Sequence, residues 1–463
     1  MRFSARVHMP LVHRFLPLLV LVWCLPRGVA AQTTFTVTTA GDLDDGTCDV
    51  VHCSLREAIG AANVAGDGGM IAFQIPGTGP HTIQPLSALP PLEDDLIIDG
   101  TTQPGFAETP VIELDGSLAG NAHGFDIVGS NNLIRGFVIN RFAWTGIQIN
   151  TDCNDNVIEG NYIGTDLSGT ADQGNAIGVG IGEGSNNTVG GTTPGSGNLL
   201  SGNIEGVTIV GATATGNVVM GNFIGTDVTG TAAIPNDVGV LLLAPNNRVG
   251  GLLPEASNVI SGNQFNGVDL NGENATGNVL QGNLIGTDAT GTTALGNGES
   301  GVFIGNTATD NSIGGIESGA GNVLSGNTFG ILIGDLSISG TKIQGNLIGT
   351  NAAGDEAIPN SQTGILLWGT DNVIGGVETG ARNIISANGF AGIDLGPGSN
   401  GTVIQGNYIG TNAAGTAAMG NDLGIFVNFS PDNAIGGTEP GAGNVISGNV
   451  SLNININGVD ASG

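Results

Sequence analysis

The feature that most constrains this chain is an internal repeat of about 61 residues. A Gly-Asn-x-Ile-Gly-Thr-Asp/Asn motif starts at Gly160, Gly221, Gly282, Gly345 and Gly406. An Asn-x-x-Ser-Gly/Ala-Asn motif keeps the same phase and starts at Asn198, Asn258, Asn322, Asn383 and Asn444. Self-similarity at a fixed period is the signature of a solenoid, in which each repeat buries its apolar face against its neighbours.

Each repeat contains two smaller units, which we interpret as two coils. Short strands of the form Gly-Φ-x-Φ, where Φ is apolar, begin at Gly146, Gly178, Gly206, Gly239, Gly267, Gly301, Gly330, Gly364, Gly392 and Gly424. Strands this short, with no amphipathic helical pattern after residue 65, predict an all-β solenoid of about ten or more coils of parallel strands. A leucine-rich horseshoe needs helices and a propeller needs longer strands. The turn asparagines are expected to stack into hydrogen-bonded ladders.

The composition is that of a folded, acidic protein. Hydrophobic residues make up 40% of the chain and charged residues 11%, which is not the profile of a disordered protein. The chain has 10 Lys and Arg against 40 Asp and Glu. It therefore repels phosphate backbones, which excludes nucleic acid as a partner and disfavours anionic membranes. The acidity fits solubility or salt tolerance and leaves bound Ca²⁺ as an open alternative; no cofactor is required.

Residues 1–31 have the pattern of a signal peptide. Arg2, Arg6 and Arg14 supply the positive region, residues 15–25 are apolar, and cleavage is predicted after Ala31. The apolar run is too short to cross a bilayer, and no later segment is long and apolar enough to do so. The sequence therefore predicts a secreted protein, extracellular or at the cell surface, with no membrane span.

Residues 32–70 are predicted to form an N-terminal cap. In an exported protein Cys48 and Cys53 are expected to form a local disulfide, whereas Cys153 is expected to be a buried free thiol. A short amphipathic helix begins after Ser54, and Glu57 completes a capping box with it. The helix is expected to cover the open first coil. Four acidic residues before it are considered as Ca²⁺ ligands, although a solvated turn is the favoured interpretation: Asp42, Asp44, Asp45 and Asp49.

Two groups of residues resemble known proteins. Cys53-Ser54-Leu55-Arg56-Glu57-Ala58, soon after a signal peptide, looks like the CSLREA region of large exported bacterial proteins. The Asn-x-Ile-x-Gly-Asn repeats resemble the right-handed parallel β-helix, or pectin-lyase-like, superfamily. Together these matches cover most of residues 35–449. The resemblance implies a right-handed parallel β-helix that is secreted or located at the cell surface, and it implies no particular reaction.

The repeat itself helps to separate functional from structural residues, because a catalytic group should occur once. Asp166, Asp227 and Asp288 are replaced by Asn351 and Asn412 at matching positions, so this position is interpreted as a structural oxygen acceptor. Arg135 and Glu159, by contrast, replace Ser and Met or Gln of later coils. Stacking would place these two on neighbouring coils within salt-bridge distance.

The functional interpretation of the first coils is a carbohydrate subsite. Trp144 would be a stacking platform, and Asp152, Asp155 and Glu159 would be acid/base groups or Ca²⁺ ligands. Arg135 and Arg141 are the remaining candidates for a catalytic role. The alternative is that first coils are simply irregular and that the Arg135–Glu159 pair neutralises itself.

The complete motif sets of the polysaccharide lyases and hydrolases of this superfamily are missing; Asn150-Thr151-Asp152 matches one hydrolase motif of four. We therefore predict a non-catalytic structural, adhesive or glycan-binding protein, with polysaccharide or a cell-surface glycan as its partner. The alternative is a polysaccharide-degrading lyase or glycoside hydrolase with its site near residues 135–159.

Irregular coils are predicted for 71–145, repeated coils for 146–449 and an uncapped tail for 450–463. That tail suggests a C-terminal partner or a missing C-terminal segment.

Overall fold

The computed structural model describes residues 32–66 and 68–458 of the chain. The predicted signal peptide, its cleavage site and residues 459–463 of the predicted tail lie outside these residues. In the described part, three parallel sheets of 14, 13 and 12 strands wind around a common core. From Ile97–Asp99 onward, successive strands along the chain belong to sheet 1, sheet 2 and sheet 3 in turn. The protein is thus an all-β, right-handed parallel β-helix with twelve complete coils in the described residues, as predicted.

The strands of each sheet stack in register, one coil above the next. Sheet 1 consists of Thr34–Val37, Met70–Phe73, Ile97–Asp99, Leu133–Arg135, Val157–Glu159, Thr188–Gly190, Val218–Met220, Arg248–Gly250, Val279–Gln281, Ser312–Gly314, Lys342–Gln344, Val373–Gly375, Val403–Gln405 and Ala434–Ile435. Sheet 2 consists of His81–Ile83, Ile112–Asp115, Phe137–Asn140, Tyr162–Ile163, Leu199–Leu200, Phe223–Ile224, Val259–Ile260, Leu284–Ile285, Val323–Leu324, Leu347–Ile348, Ile384–Ile385, Tyr408–Ile409 and Val445–Ile446. Sheet 3 consists of Phe125–Ile127, Thr145–Ile149, Ile177–Gly182, Glu205–Val210, Val238–Leu243, Val268–Asn271, Ser300–Gly305, Phe329–Ile333, Ile365–Leu367, Ala391–Leu395, Leu423–Asn428 and Leu452–Asn457.

The core is aliphatic in the repeated coils and partly aromatic in the first ones. Inward-facing Ile, Val and Leu of the three sheets are fully buried. In the first coils Phe73 and Phe125 each pack edge-on against Phe137, with ring centroids 5.3 and 5.5 Å apart. Because side chains alternate across a strand, every second residue of each strand faces outward, and these outer faces carry the variable chemistry.

Asparagine ladders occupy all three corners of the coils, as predicted. Asn161 Nδ2 donates to Asn198 Oδ1 at 3.2 Å, and Asn198 Nδ2 donates to Asn222 Oδ1 at 3.0 Å. Each Oδ1 also accepts a backbone N–H of the preceding coil. The ladder between sheets 3 and 1 runs from Asn132 to Asn311. Stacked amides thus satisfy the buried turn groups.

The polar loops that begin with Asp166 and its equivalents have the predicted structural role. Asp166 Oδ1 accepts the backbone N–H groups of Thr170 and Ala171, both at 3.0 Å. Asn412 Oδ1 accepts the matching N–H groups of its own loop at 2.9 and 3.2 Å. Burial alone would raise the pKa of Asp166, but hydrogen bonds from Ser168, Thr170 and Ala171 outweigh it and lower that pKa. An amide oxygen therefore replaces the carboxylate without loss of structure.

The N-terminal cap contains one α-helix, Leu55–Ala65, with the predicted capping box. Ser54 Oγ accepts the N–H of Glu57, and Glu57 Oε2 accepts the N–H of Ser54 at 2.8 Å. Cys48 and Cys53 form a disulfide. The helix packs against the first two strands of sheet 1. In the part of the chain that the structure describes, the remaining helical elements are four short 3₁₀ turns: Gly100–Thr102, Gly116–Leu118, Pro254–Ala256 and Thr379–Ala381.

One boundary differs from the sequence expectation. Sheet 1 begins at Thr34–Val37, before the helix, because this alternating segment pairs in parallel with Met70–Phe73. The cap helix is therefore an insertion between the first two strands of sheet 1, and the coils do not start at residue 71. At the other end, Leu452–Asn457 of the predicted tail is the last described strand of sheet 3 and pairs with Leu423–Asn428. Within the described residues, no helix has the length and hydropathy that crossing a bilayer requires.

Candidate functional site

Arg135 and Glu159 lie on neighbouring strands of sheet 1, as the repeat predicted. Their charged atoms are 3.5 Å apart, and Arg135 also pairs with Asp99 of the preceding coil at 2.7 Å. Burial would raise the pKa of Asp99, but the Arg135 guanidinium and a hydrogen bond from Thr101 outweigh it and lower that pKa. The Arg135 charge is thus shared between two carboxylates on the outer side of sheet 1.

A groove lies outside this charge ladder, at the corner between sheets 1 and 2. Its volume is about 440 Å³, and Arg135 and Glu159 form part of its floor. Phe106 and Glu108 bound it on one side and residues 193–196 on the other. Arg135 Nε is buried without a hydrogen-bond partner. The groove is lined by two carboxylates, Glu108 and Glu159, and by one cation, Arg135. It therefore offers no net positive charge for an acidic sugar.

The other sequence candidates do not join this groove. Arg141 belongs to the outer side of sheet 2, where its guanidinium pairs with Asp115 at 2.9 Å and Glu113 at 3.3 Å. Trp144 is about half exposed in the turn between sheets 2 and 3, beside the His123 ring at 5.1 Å. The Arg141 guanidinium is thus paired with two carboxylates, and the Trp144 indole packs beside the His123 ring.

Asp152 and Asp155 are exposed in the turn between sheets 3 and 1, both with left-handed backbone. Their neighbour Cys153 is a buried free thiol, and burial raises its pKa. The structure therefore brings Arg135 and Glu159 together and distributes Arg141, Trp144, Asp152 and Asp155 over two other corners of the coil. No single subsite contains all six, because each corner faces a different direction.

The acidic residues before the cap helix bind backbone and side-chain donors rather than one another. Asp42 pairs with Arg56 at 2.8 Å, and Asp49 accepts the N–H groups of Val51 and His52. Among the described residues, the one group of three potential metal ligands is Asp45, His52 and Glu57, whose ligand atoms lie within 4.8 Å of one another. Both Glu57 oxygens already accept backbone N–H groups, so this group is built into the helix cap.

The outer face of sheet 3 has different chemistry. The x position of each Gly-Φ-x-Φ strand points outward, and hydrogen-bonded register aligns these positions into one row, which we call the outer row. Its members are Asp126, Gln148, Gly180, Thr208, Leu241, Asp269, Phe303, Leu332, Leu366, Asp394, Phe426 and Asn455. From Leu241 onward the row is apolar except for two Asp and the final Asn. Most of its apolar side chains are partly exposed.

Asp269 is a nearly buried carboxyl in this apolar row. It is 9% exposed and lies between Leu241 and Phe303 of the adjacent coils. Its Oδ2 accepts a hydrogen bond from Asn266 Nδ2 at 3.3 Å, and its Oδ1 is buried without a partner. Burial raises the pKa of Asp269 to about 6. Side-chain hydrogen bonds with Asn266 and Asn271 act in the opposite direction, and two nearby carboxylates, Glu205 and Glu299, add to the rise.

Asp394 is the second carboxyl in the apolar part of the outer row, which begins at Leu241. It lies between Leu366 and Phe426, its Oδ1 is also buried without a partner, and burial raises its pKa to about 6. Four coils separate Asp269 from Asp394, which is about 19 Å at ~4.8 Å per coil. Glycosidase carboxylates lie roughly 5–9.5 Å apart, so these two cannot act as one acid/base pair.

An exposed aromatic ring lies beside the same row. Trp368 follows strand Ile365–Leu367 and is 41% exposed. A Cβ at position 396 would overlap its indole, so the ring lies against the backbone of Gly396 in the next coil. With Asp335, Leu336 and Pro397 it lines a pocket of about 430 Å³. Trp368 thus lies two residues beyond Leu366 of the outer row, where the strand of sheet 3 has just ended.

Sequence reasoning missed Asp269, Asp394 and Trp368, although a signal for two of them was present. The x positions could be aligned from the Gly-Φ-x-Φ pattern, and an Asp among Leu and Phe at those positions marks a charge on an apolar face. The pattern does not show how deeply the flanking coils bury that charge. Trp368 falls just outside the pattern, so the repeat carries no signal for it.

The chain is similar in fold to several solved β-helix proteins. The Dettilon tailspike protein matches with a TM-score of 0.50 and 17% identity over 79% of this chain. The A-module of the Azotobacter vinelandii mannuronan C-5 epimerase AlgE4 matches with 0.42 and 16% over 88% of this chain and 94% of its own. PfbA, a surface adhesin of Streptococcus pneumoniae, matches with 0.30 and 12% over 81% of this chain and 93% of its own.

The tailspike match agrees with the class of protein that the sheets define, a parallel β-helix, and shows nothing finer. The chain spans about 64% of the tailspike's length. No known protein family and no curated protein matches the sequence.

Proposed function

We propose that this protein is a non-catalytic, exported β-helix of the CSLREA type that binds a neutral glycan along the outer face of sheet 3. The observation that carries this proposal is the exposed Trp368 ring beside a row of outward apolar side chains. Pyranose rings present C–H faces that pack on aromatic and aliphatic surfaces, while their hydroxyls bond to polar groups at the edges. Binding pockets typically combine such an apolar lining with a few placed polar groups.

The geometry of the coils supports an extended ligand. Phe303, Leu332 and Leu366 follow one another on successive coils, about 4.8 Å apart along the axis. This rise is close to the length of one sugar residue in an extended chain. A glycan lying along the axis would therefore meet one outward side chain of the outer row per residue, with Trp368 at one end of this stretch.

The charge distribution supports a neutral rather than an acidic glycan. Beyond residue 31 the chain keeps six of its 10 basic residues and all 40 acidic ones. Three of those six, Arg56, Arg135 and Arg141, are paired with carboxylates. A polyanionic chain would be repelled unless a cation bridged it, so measurements with and without Ca²⁺ also test the open alternative of bound Ca²⁺.

The first test is binding of residues 32–463 to a panel of neutral and acidic polysaccharides, measured by affinity electrophoresis and calorimetry. We expect binding to a neutral polysaccharide, and Trp368→Ala should weaken it at least tenfold because the stacking surface is lost. Trp144→Ala, the matched control at another exposed tryptophan, should change the affinity less than twofold. Loss of binding with Trp144→Ala and Glu159→Gln, but not with Trp368→Ala, would move the site to residues 135–159.

One observation favours the second candidate function, a polysaccharide-degrading enzyme. The pKa of Asp269, raised by burial to about 6, suits a proton donor near neutral pH. The distance to Asp394 opposes a two-carboxylate mechanism. Release of reducing ends from the same panel decides between the two: release that Asp269→Asn abolishes would make the protein an enzyme, and no release would support the binding function.

A further inference from the structure

The outer face of sheet 3 contains two buried polar atoms that lack partners and lie on adjacent coils. One is Oδ1 of Asp269, a residue 9% exposed, and the other is Oγ of Ser300, which is 1% exposed. Asn266 links the two residues, because its Nδ2 donates to the other carboxyl oxygen of Asp269, Oδ2, at 3.3 Å and its Oδ1 accepts the backbone N–H of Ser300 at 3.1 Å. The three residues form one cluster on the face that we assign to glycan.

Buried polar atoms without partners are costly, and native proteins contain few of them. Here a carboxyl oxygen and a hydroxyl oxygen on adjacent coils are left unpaired, although every amide of the corner ladder through Asn161, Asn198 and Asn222 is bonded. Rotation about the last bond of an Asp side chain is soft, so Asp269 can present Oδ1 toward the outer face. The Ser300 hydroxyl hydrogen turns about the Cβ–Oγ bond, so this group can donate or accept.

We propose that Asp269, Ser300 and Asn266 form a sugar subsite that accepts the hydroxyl groups of a neutral residue and rejects a residue carrying a carboxylate. This proposal rests on the glycan-binding function proposed above and names the class of ligand for its polar end. A sugar hydroxyl would donate to Asp269 Oδ1, and another would bond with Ser300 Oγ. A uronate would instead place its charge against Asp269, with Glu205 and Glu299 nearby, and would find no cation there.

Asp394, the other carboxyl in the apolar part of the outer row, provides a matched control. Asp394 is also mostly buried, and its pKa is raised by burial to about the same value. In its strand Ala391 occupies the position that corresponds to Asn266, and Leu423 of the next coil occupies that of Ser300. Asp394 is therefore a mostly buried carboxyl like Asp269, but it lacks the neighbouring Asn and Ser side chains. Removing the Asp394 carboxyl should leave the preference for neutral over acidic glycan unchanged.

The test compares two forms of one probe, the neutral polysaccharide that binds in the panel and the same polysaccharide oxidised at C6 to uronate. Affinities are measured at pH 5 and pH 8 in 0.15 M salt. For the wild type, the preference for the neutral form should rise five- to tenfold between pH 5 and pH 8 as Asp269 ionises. Asp394, whose pKa burial also raises to about 6, ionises over the same range, so its variant is measured in parallel.

Asp269→Asn should abolish this pH-dependent rise, and Ser300→Ala should weaken neutral binding about fivefold without changing the pH profile. Asp394→Asn should keep the wild-type profile. An Asp269→Asn protein with the wild-type pH profile would overturn the subsite while leaving glycan binding intact. Failure of the wild type to bind any polysaccharide, or binding indifferent to Trp368→Ala, would overturn the proposed function itself and the subsite with it.

Discussion

The corners of the β-helix and the outer face of sheet 3 both bury polar groups, but they differ in whether these groups have hydrogen-bond partners. At the corners, Asn161, Asn198 and Asn222 are 0–1% exposed, and each amide bonds to the coils on either side. On sheet 3, the Asp269 and Asp394 carboxyls and the Ser300 hydroxyl each leave a buried atom without a partner. Nine such atoms occur in the described part of the chain, and none belongs to a ladder asparagine.

The difference separates polar groups that support the fold from those available for function. In the ladders between sheets 1 and 2 and between sheets 2 and 3 the amide recurs from coil to coil, and its bonds close as the coils stack. The combination of Asp269, Asn266 and Ser300 occurs once in the outer row and its flank, and stacking does not supply partners for Asp269 Oδ1 and Ser300 Oγ. In a solenoid, where each coil contacts only its neighbours, such a local departure is tolerated because it does not propagate along the rod. The three predictions below test this separation.

The largest effect on stability is expected from removing one amide of a corner ladder. Asn222 Oδ1 accepts two bonds from Asn198, and Asn222 Nδ2 donates to Val189 O, Met220 O and Asn258 Oδ1. Asn222→Ala leaves buried groups on both neighbouring coils without partners, so we expect a loss of about 3 kcal/mol in the free energy of unfolding. Denaturant midpoints measure it.

The control is Asn274→Ala, at an exposed turn, which should change stability by less than about 0.5 kcal/mol. Equal effects of the two substitutions would mean that the ladder does not stabilise the coils.

The repeat period, the short strands and the turn asparagines predict the coil number, the corner ladders and the role of the Asp166 loop, because each depends on a pattern that recurs. They do not predict that Thr34–Val37 belongs to sheet 1, because this strand precedes the helix and matches no repeat. The Arg135–Glu159 pair was predictable from alignment of coils. The depth of Asp269 was not, since it is set by Leu241 and Phe303, which become neighbours only when the coils stack.

The second prediction concerns pH and the face of sheet 3. Burial raises the folded-state pKa of Asp269 from 3.8 to about 6, so the folded state holds this proton more tightly than the unfolded state does. The stability that Asp269 contributes is therefore fully present below pH 3.8 and is lost as the pH rises through about 6. Between pH 4 and pH 7 the wild type should lose about 2 kcal/mol relative to Asp269→Asn.

Unfolding of the two proteins across that pH range provides the measurement. The lowered pKa values of Asp166, Asp227 and Asp288 act in the opposite direction, and they cancel in the comparison because both proteins contain them. A constant difference between wild type and variant across this range would show that the Asp269 carboxyl is not protonated in the folded protein at mild pH.

The smallest effect on stability is expected from adding an amide that one corner ladder lacks. In the ladder between sheets 3 and 1, Thr341 follows Asn311 where an asparagine would continue the series. The Thr341 N–H still donates to Asn372 Oδ1 at 2.9 Å, but its Oγ1 is buried without a partner. Thr341→Asn would let the new amide bond to both Asn311 and Asn372, and we expect a gain of about 1 kcal/mol or less.

Thr341→Val, of nearly the same shape, separates two contributions to this gain. It removes the unpartnered hydroxyl without adding an amide, so any stability that Thr341→Asn gains beyond Thr341→Val comes from the ladder bonds. The same pair of substitutions at Thr402, which lies between Asn372 and Asn433 with an equally unpartnered Oγ1, should reproduce the result. If both asparagine variants were no more stable than the valine variants, ladder continuity would matter only where neighbouring amides are already in place.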